Sequence, residues 1–204
     1  MTTRRGLAGL LALPATAQTA APADYRWRVM RSGSEIGSHT VRFRSEGGNL
    51  VAMSEVLVVP RVLGVVVYRY EHRYTEVTRQ GRFVSVQSRL NRNGRIVEVA
   101  AEAGAGAPPS TLVRGTDGER RLPAEAAPLS WWEPRRFGGG VPIFGTTTGQ
   151  IMDLRWTREA LAGGAVRWRC AGEVEAVLEY SALGRWLTYS VVGDDGTPVS
   201  YEPA

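Results

Sequence analysis

His39 and His72 are the only histidines in the 204-residue chain, so any chemistry that needs an imidazole depends on them. A neutral imidazole can bind a metal ion or act as a general base near neutral pH. On an extended strand, His72 and Glu76 would lie roughly 13 Å apart, because a strand rises about 3.3 Å per residue. One metal ion cannot bind both side chains at that separation. We therefore favour histidines that are hydrogen-bonded within a sheet, and we predict no metal site.

Other motifs of catalysis are present only in part. In the segment Gly33 to Gly37 (GSEIG), the serine stands one place too early for the nucleophile motif G-x-S-x-G, so the segment predicts a turn. The glycines of Gly140 to Gly145 have the spacing of a phosphate-binding loop, but Thr146 stands where that loop requires lysine. The acids that could act in pairs on a glycan are scattered over predicted strands: Glu71, Glu76, Asp153, Glu173 and Glu175. We therefore predict no catalytic residue and no cofactor.

An aromatic row is the pattern most typical of a binding surface. Tyr68, Tyr70, His72 and Tyr74 occupy every second position, which places them on one face of a strand. A tyrosine ring is apolar and carries a hydroxyl group, so such a row suits glycans or amphipathic lipids. The same spacing also fits a buried strand face that only packs in the core.

Two adjacent tryptophans, Trp131 and Trp132, precede a glycine-rich loop. They would form either a lid over a cavity or an apolar plug at the end of a barrel. We combine them with the aromatic row and the other histidine into a candidate set of ligand-binding residues. The set comprises His39, Tyr68, Tyr70, His72, Tyr74, Trp131 and Trp132.

The composition excludes several kinds of chemistry. All 25 basic residues are arginine, so no Schiff base and no lysine general base is available. Cys170 is the only cysteine, which excludes an intrachain disulfide and a multi-cysteine metal site. The formal charge of +5 falls by two without Arg4 and Arg5, and the basic residues are not clustered as nucleic-acid binding requires. We expect no nucleic-acid partner, whereas a lipid, a glycan or another amphipathic molecule is a candidate ligand.

The first seventeen residues have the pattern of an export signal. Arg4 and Arg5 supply positive charge, Gly6 to Leu13 form a short apolar run, and Ala15 to Ala17 offer small residues for cleavage after Ala17. The apolar run is well short of the ~20 residues that a helix needs to span a bilayer, and no cysteine follows the signal to carry a lipid. The paired arginines also fit a twin-arginine signal, so both export routes stay open. We predict a soluble protein of the periplasm that does not span the membrane.

Alternation between apolar and polar residues recurs from Tyr25 to the C-terminus, with Gly, Asn and Asp turn signals in between. This pattern predicts a mainly β protein, a single antiparallel and strongly curved sheet or (half-)barrel of about ten strands with little helix. The strongest local prediction is the hairpin closed by Asn93-Gly94. A turn is predicted at Arg61 to Gly64, and one long strand is predicted after it, from Val65 to Thr78. The predicted organisation is a signal peptide at 1–17, a linker at 18–24 and a single β domain at 25–204.

Two segments predict structure other than long strands. Thr116 to Pro128 is polar and contains proline, which predicts irregular structure. Ser130 to Arg136 predicts one helical turn that begins at Ser130, because a serine side chain can cap the first free backbone N–H groups.

Short motifs follow one another in a definite order along the chain. They are Tyr25-Arg26-Trp27, Gly33 to Gly37 leading into His39-Thr40-Val41, Tyr68 to His72 with Glu76, Gly81-Arg82-Phe83 with Asn93-Gly94, and Gly184-Arg185-Trp186 with Asp195-Gly196 and Tyr201. This order resembles a family of small exported proteobacterial proteins that is classed as a domain of unknown function. The resemblance covers nearly the whole chain after the signal and implies no catalytic residue. At fold level, the predicted curved sheet also resembles periplasmic carriers of lipoproteins and lipids, although a fold does not confer a function.

Three functional hypotheses follow from these patterns. The first is a soluble periplasmic protein that binds an amphipathic or envelope-derived ligand on the concave face of its sheet, without catalysis. The second is an envelope hydrolase that uses the scattered carboxylates or the two histidines, which requires a cleft in which those groups converge. The third is a structural or interaction module of the envelope that presents an edge strand to a partner.

Overall fold

The computed structural model describes residues 21–193 and 195–204. The predicted signal peptide and the first residues of the predicted linker lie outside these ranges. The strands are β1 (Tyr25–Arg31), β2 (Ser34–Glu46), β3 (Asn49–Val58), β4 (Arg61–Val62), β5 (Val65–Val66), β6 (Tyr70–Arg79), β7 (Arg82–Arg92), β8 (Arg95–Ala105), β9 (Ser110–Gly115), β10 (Gly118–Leu122), β11 (Ala127–Pro128), β12 (Ile143–Phe144), β13 (Leu154–Ala160), β14 (Val166–Gly172), β15 (Ala176–Tyr180), β16 (Trp186–Val192) and β17 (Pro198–Pro203). Two short 3-10 turns, Pro134–Arg136 and Ala162–Gly164, complete the elements. Within the described ranges, no helix has the length and apolar character needed to cross a membrane.

Thirteen of the strands form one antiparallel sheet in the order β10-β9-β8-β7-β6-β3-β2-β1-β17-β16-β15-β14-β13. The mainly β fold is therefore confirmed, but the prediction of about ten strands is too low. One of the thirteen, the polar edge strand β10, has no fully buried residue, so alternation gave no sign of it. The sheet is open, and β10 and β13 are its two edges. The first strand, β1, pairs with both β2 and the C-terminal β17, which joins the two halves of the chain in the middle of the sheet.

Alternation decides which face of each strand is buried. In β1, Tyr25, Trp27 and Val29 are buried and the arginines between them are exposed. The neighbouring strand β2 buries His39 and Val41, and His39 lies directly opposite Trp27 in the strand register. Core-facing side chains therefore form rows that run across the strands, as expected for a sheet with one buried face.

The chain between the two edge strands, residues 123–153, crosses the buried face of the sheet. We call it the crossing segment. Its Trp132 stacks on Tyr74 of β6, with ring centroids 5.5 Å apart. Its Phe137 stacks on Trp156 of β13 at 4.1 Å, on the other half of the sheet. The crossing segment thus fills the space on the concave side and ties the two halves of the sheet together.

The predicted long strand from Val65 to Thr78 is wrong in its first part. β5 ends at Val66 and β6 begins at Tyr70, so two separate strands replace one. The two parts have different partners: β5 folds back onto β4 through the turn at Leu63-Gly64, whose φ angles are 49° and 82°, whereas β6 pairs with β3 and β7 in the large sheet. Residues 67–69 between them belong to no strand. The Asn93-Gly94 turn is confirmed, and both of its φ angles are positive, at 52° and 89°.

Two other local predictions are wrong. Thr116 to Pro128 is not irregular throughout, because β10 pairs along its whole length with β9. The helical turn begins after Glu133 rather than at Ser130, and Glu133 makes no side-chain cap. The hydroxyl of Ser130 instead donates a hydrogen bond to the carboxylate of Glu76 on β6. A bond to the sheet has therefore replaced the expected local bond to the backbone.

Gly37 of β2 gives a direct test of how tightly the centre of the sheet is packed. A Cβ atom at this position would collide with the carbonyl oxygen of Leu57 on β3 and lie 2.8 Å from the Cα of Val58. Because β2 is paired on both sides, its backbone cannot move aside without breaking ladder hydrogen bonds. We expect Gly37→Ala to lower the free energy of unfolding by about 1–3 kcal/mol in urea denaturation. The control is Gly139→Ala, whose Cβ would meet its nearest atom only at 3.6 Å; an equal loss in both variants would contradict the prediction.

Candidate functional site

The most unusual surface feature is an exposed hairpin formed by residues 61–67, which we call the aliphatic hairpin. Leu63 is 99% exposed, and Val65, Val66 and Val67 are 65%, 44% and 56% exposed. Single exposed aliphatic residues are common on proteins, whereas a contiguous group typically marks a contact surface.

The backbone of the turn strengthens this point. Four non-glycine residues of the described chain have a positive φ: Ser32, Leu63, Gln80 and Asn93. Leu63 is apolar, whereas the other three are polar. Asparagine tolerates this conformation because its side chain can hydrogen-bond locally, but leucine has no such compensation. Backbone strain of this kind is concentrated at functional positions. An aliphatic residue at the tip of the turn is therefore costly for folding, and contact with another molecule would offset that cost.

The base of the aliphatic hairpin is held firmly to the sheet. The N–H of Val59 donates to the carbonyl of Ile36 at 2.8 Å, and the N–H of Val67 donates to the carbonyl of Pro60 at 3.2 Å. Arg69 and Asn93 exchange two bonds, from Arg69 N to Asn93 Oδ1 at 2.8 Å and from Asn93 N to Arg69 O at 2.9 Å. These bonds fix the hairpin beside the Asn93-Gly94 turn, at the same end of the sheet.

Four arginines surround this hairpin, and we call them the arginine collar: Arg61, Arg69, Arg92 and Arg95. Arg69 forms an ion pair with Glu71 at 2.9 Å, which together with Arg73 holds the pKa of Glu71 below its usual value. The guanidinium of Arg92 lies over the ring of Tyr70, 5.8 Å from its centroid. Within the part of the chain that the structure describes, Arg61, Arg92 and Arg95 form no ion pair. Positive charge therefore exceeds negative charge around the hairpin.

The predicted aromatic row runs from this end of the sheet into the interior. Tyr68 and Tyr70 are half-buried, whereas His72 and Tyr74 are only 6% exposed each. The ring of His72 stacks on that of Tyr74 at 5.0 Å and contacts that of Tyr70 at 6.2 Å. Burial raises the pKa of Tyr70 to about 12, because its hydroxyl is directed into the interior, where it interacts with Tyr189 and Tyr201. The outer half of the row is accessible and the inner half belongs to the core.

The two tryptophans of the candidate set lie in the crossing segment and pack inside. Trp132 is 7% exposed and contacts Phe43 as well as Tyr74. Trp131 is half-buried, its ring lies 5.0 Å from that of Tyr189, and its carbonyl accepts a hydrogen bond from the hydroxyl of Tyr180. This geometry corresponds to the plug that we weighed against a lid.

Each histidine is hydrogen-bonded to a serine on the next strand. His39 Nε2 lies 2.9 Å from Ser54 Oγ, and His72 Nε2 lies 2.9 Å from Ser88 Oγ. Both imidazoles lie opposite Val56, so one strand separates them by about 10 Å. Burial lowers the pKa of His39 to about 3 and that of His72 to about 4, so neither is an effective base at neutral pH. Among residues 21–193 and 195–204, no three His, Cys, Asp or Glu side chains are grouped to hold a metal ion.

Two buried polar atoms near His39 have no hydrogen-bond partner, namely Trp27 Nε1 and His39 Nδ1. Both rings contact Trp186 and Tyr201, so the two atoms belong to one aromatic cluster. Leaving a buried polar group unpaired costs about 1–3 kcal/mol. If His39 carries its proton on Nε2, then its Nδ1 is a hydrogen-bond acceptor, whereas Trp27 Nε1 is a donor. A hydroxyl group can donate to the first kind of atom and accept from the second. Sequence reasoning missed Trp27, which the alternation of β1 had assigned to the core.

A buried ion pair is the other group that sequence reasoning missed. Arg136 of the crossing segment lies 2.5 Å from Glu76 Oε1, and Ser130 donates to Glu76 Oε2 at the same distance of 2.5 Å. Arg136 also donates to the carbonyl of Pro128 at 3.0 Å. Burial is the main cause of the raised pKa of Glu133, and the nearby charges of Arg136 and Glu76 act on it in opposite directions. Glu76, considered above as a catalytic acid, is thus fully engaged in holding the crossing segment to β6.

A groove of about 890 Å³ lies on the opposite, outer face of the sheet, across β2, β3 and β6 to β9. Its lining mixes charged and polar side chains with the apolar Met53, Val99 and Ala100, and several of the charges pair with one another. Arg73 binds Glu55 at 2.8 Å, and Arg89 lies 3.3 Å from Glu98. The lining holds four arginines, Arg42, Arg73, Arg89 and Arg114, against two glutamates, Glu55 and Glu98, so it carries an excess of positive charge. Three of these arginines form ion pairs with glutamates, Arg114 with Glu119 at 3.0 Å, which reduces the charge that a ligand would meet.

Comparison with known proteins places the chain in a family. No curated protein matches it. A similar solved structure is the crystal structure of a β-barrel-like protein of the domain of unknown function DUF1849 from Brucella abortus, with a TM-score of 0.59 and 7% identity over 89% of this chain and 94% of that chain. At this identity the similarity concerns the fold alone. The family model for the domain of unknown function DUF6134 matches residues 27–204. The resemblance to a domain of unknown function is thereby confirmed, and the chain belongs to the DUF6134 family.

Proposed function

We propose that the protein is a non-catalytic binding protein that holds an amphipathic molecule of the cell envelope at the hairpin end of its sheet. The observation that carries this proposal is the exposed aliphatic hairpin, with Leu63 at 99% and Val65 at 65% exposure, beside the accessible Tyr68 and Tyr70. Our first hypothesis placed the ligand on the concave face, but the crossing segment and its Trp132 occupy that face. The accessible part of the candidate set is therefore at the end of the sheet.

The chemistry of this end matches the two parts of an amphipathic molecule. Leu63, Val65 and Val67 offer only hydrocarbon, which gains free energy when apolar chains cover it. The guanidinium of Arg92, which lies over the ring of Tyr70, offers donors for a polar or anionic head group. The apolar and polar parts of the ligand thus each meet a matching surface.

The same geometry gives a hydrolase no support. Each histidine is neutral, buried and bonded to a buried serine, and Nδ1 of His39 has no carboxylate to orient it. A reacting group would need a base that is both accessible and near its working pH. The pattern of an export signal at residues 1–17 supports export. We therefore include a periplasmic location in the proposal, because envelope lipids are accessible there.

Binding of a monomeric amphiphile tests the proposal. We expect NBD-labelled dodecanoic acid, used below its micelle concentration, to bind saturably with a rise in NBD emission. In Leu63→Asp/Val65→Asp, affinity should fall by at least about tenfold, because the acyl chain would then meet carboxylates. Aspartate tolerates the positive φ at position 63, so the variant is expected to fold.

The matched control is Leu183→Asp. Leu183 is 97% exposed in the turn between β15 and β16, which lies beside the start of β1 through bonds from Arg185 to Ala23 and Asp24. That is the opposite end of the sheet from the hairpin, so this variant should bind the probe normally. Absence of saturable binding to the unaltered protein, or equal affinity in Leu63→Asp/Val65→Asp, would rule out the proposed site.

A further inference from the structure

We propose that the aliphatic hairpin inserts into the surface of an anionic lipid bilayer, with the arginine collar on the lipid phosphates. The inference rests on the proposed function and deepens it, because it names the surface from which the amphipathic molecule is taken. Two independent features support it: the chemistry of the hairpin tip and the charge around its base.

The tip has the properties of an interfacial anchor rather than of a protein interface. Its exposed side chains are leucine and valine, whereas protein interfaces are enriched in aromatic residues and methionine as anchors. Lipid chains need no shape complementarity, so a narrow aliphatic loop is sufficient to enter them. Backbone pairing of Arg61 with Val66 and of Val62 with Val65 satisfies polar groups that would otherwise enter the membrane unpaired.

Charge at the base of the hairpin matches an anionic surface. Arg61 and Arg69 flank the aliphatic residues in the chain, and Arg92 and Arg95 flank the adjacent Asn93-Gly94 turn. The two bonds between Arg69 and Asn93 keep both pairs at one end of the sheet.

Fewer acids lie beside the hairpin: Glu71, which is paired with Arg69, the exposed Glu35 at the start of β2, and Asp195 in the turn before β17, which is paired with Arg31. Asp153, Glu173 and Glu175 lie at the same end of the sheet but on its other half, on the turns next to β13, β14 and β15. Guanidinium groups bind phosphate oxygens through two parallel hydrogen bonds. An aliphatic tip with a basic rim is the combination that holds peripheral proteins at anionic membranes.

Vesicle flotation distinguishes this inference from the proposed function. The vesicles are phosphatidylcholine alone and phosphatidylcholine with 30% phosphatidylglycerol. We expect the unaltered protein to float with the anionic vesicles and much less with the neutral ones. Leu63→Asp/Val65→Asp should lower the partition coefficient at least tenfold, and Arg61→Gln/Arg95→Gln about tenfold, with a weaker dependence on salt.

Two controls separate local from general effects. Leu183→Asp tests an exposed leucine at the other end of the sheet, and Arg82→Gln/Arg158→Gln removes the same charge from exposed arginines elsewhere. Both should float as the unaltered protein does. Leu63→Trp gives a readout that does not depend on partition, since insertion should shift its emission to the blue and expose it to quenching by brominated lipids.

Each outcome bears on either the proposed function or the membrane inference in a different way. If NBD-dodecanoic acid binds but the protein does not float, the proposed function stands and the membrane inference is overturned. If neither is observed, both are overturned. Equal flotation with neutral and anionic vesicles, or equal loss in Arg82→Gln/Arg158→Gln and Arg61→Gln/Arg95→Gln, overturns the role of the collar. A Leu63→Trp emission that stays unshifted in floated protein overturns insertion of the tip.

Discussion

Lowering the pH from 8 to 5 is expected to reduce the free energy of unfolding by about 4 kcal/mol through His39 and His72 together. In the folded protein, burial lowers their pKa values to about 3 and about 4, from the ordinary value of 6.5. Below pH 6.5 the two imidazoles are protonated in the unfolded chain but stay neutral in the folded chain. The stabilisation is therefore fully present above pH 6.5 and is lost progressively as the pH falls toward the folded pKa values.

The surroundings of the two rings explain why they stay neutral. His39 is 2% exposed and lies against the rings of Trp186 and Tyr201, and its bonded partner is the neutral hydroxyl of Ser54. His72 stacks on Tyr74 and bonds to Ser88. A charged imidazole in either place would be buried without a counter-ion, and each positive ring would also oppose charge on the other.

Urea denaturation followed by tryptophan fluorescence at pH 8, 6.5 and 5 measures the effect. The comparison is with His39→Gln/His72→Gln, in which an amide replaces each imidazole and nothing titrates at these positions. Glu133, with its raised pKa, acts in the opposite direction because the folded state takes up its proton first, and it is common to both proteins. Any difference between the two proteins in how the free energy of unfolding changes with pH is therefore due to the histidines. A stability that is flat from pH 8 to pH 5 in the unaltered protein would contradict the prediction.

Strand positions were predictable wherever one face of a strand is buried. In β1 the alternation of Tyr25, Trp27 and Val29 with arginine was sufficient. β10 was missed because it is a polar edge strand (GERRL) that buries little and needs only one neighbour to pair with. Alternation reports burial, so a strand without a strongly buried face gives no such signal.

The site was predictable only in its residue types. The aromatic row was found, but its division at Tyr70 into an accessible and a buried half depends on the crossing segment, which brings Trp132 onto Tyr74 from far along the chain. The turn at Arg61 to Gly64 was predicted, but Val65 to Val67 were taken for the start of a long strand, because a run of valines normally indicates burial. Gly64 after Leu63 was the one local sign of a turn.

The largest loss of stability from a single substitution is expected at the ion pair between Glu76 and Arg136. Arg136→Met should lower the free energy of unfolding by about 3–5 kcal/mol, because it leaves a buried carboxylate without its counter-ion. Glu76 is 1% exposed and Arg136 7%, so water cannot replace the lost partner without opening the core. The hydroxyl of Ser130 still donates to Glu76, but one neutral hydrogen bond does not compensate a charge.

Removing both charges together should restore most of the stability. Replacing a buried pair with apolar side chains of similar volume is often neutral, since the cost of desolvating two ions disappears along with their attraction. Glu76→Met/Arg136→Met should therefore be more stable than Arg136→Met alone, and the double-mutant cycle in urea should give a large coupling energy. The crossing segment would then be held to β6 by packing, chiefly of Trp132 on Tyr74.

An exposed pair on the same sheet provides the comparison. Arg44 and Glu46 lie 3.5 Å apart with side chains that are 59% and 56% exposed, so Arg44→Met should leave the unfolding midpoint unchanged. If Arg136→Met lowered the free energy of unfolding as little as Arg44→Met does, the ion pair between Glu76 and Arg136 would not be what holds the crossing segment against the sheet. If the double variant were as unstable as the sum of its single variants, the two charges would be acting independently. The first result would mean that apolar packing alone holds the crossing segment on the concave face, and Glu76 and Arg136 would then be available for a role other than stability.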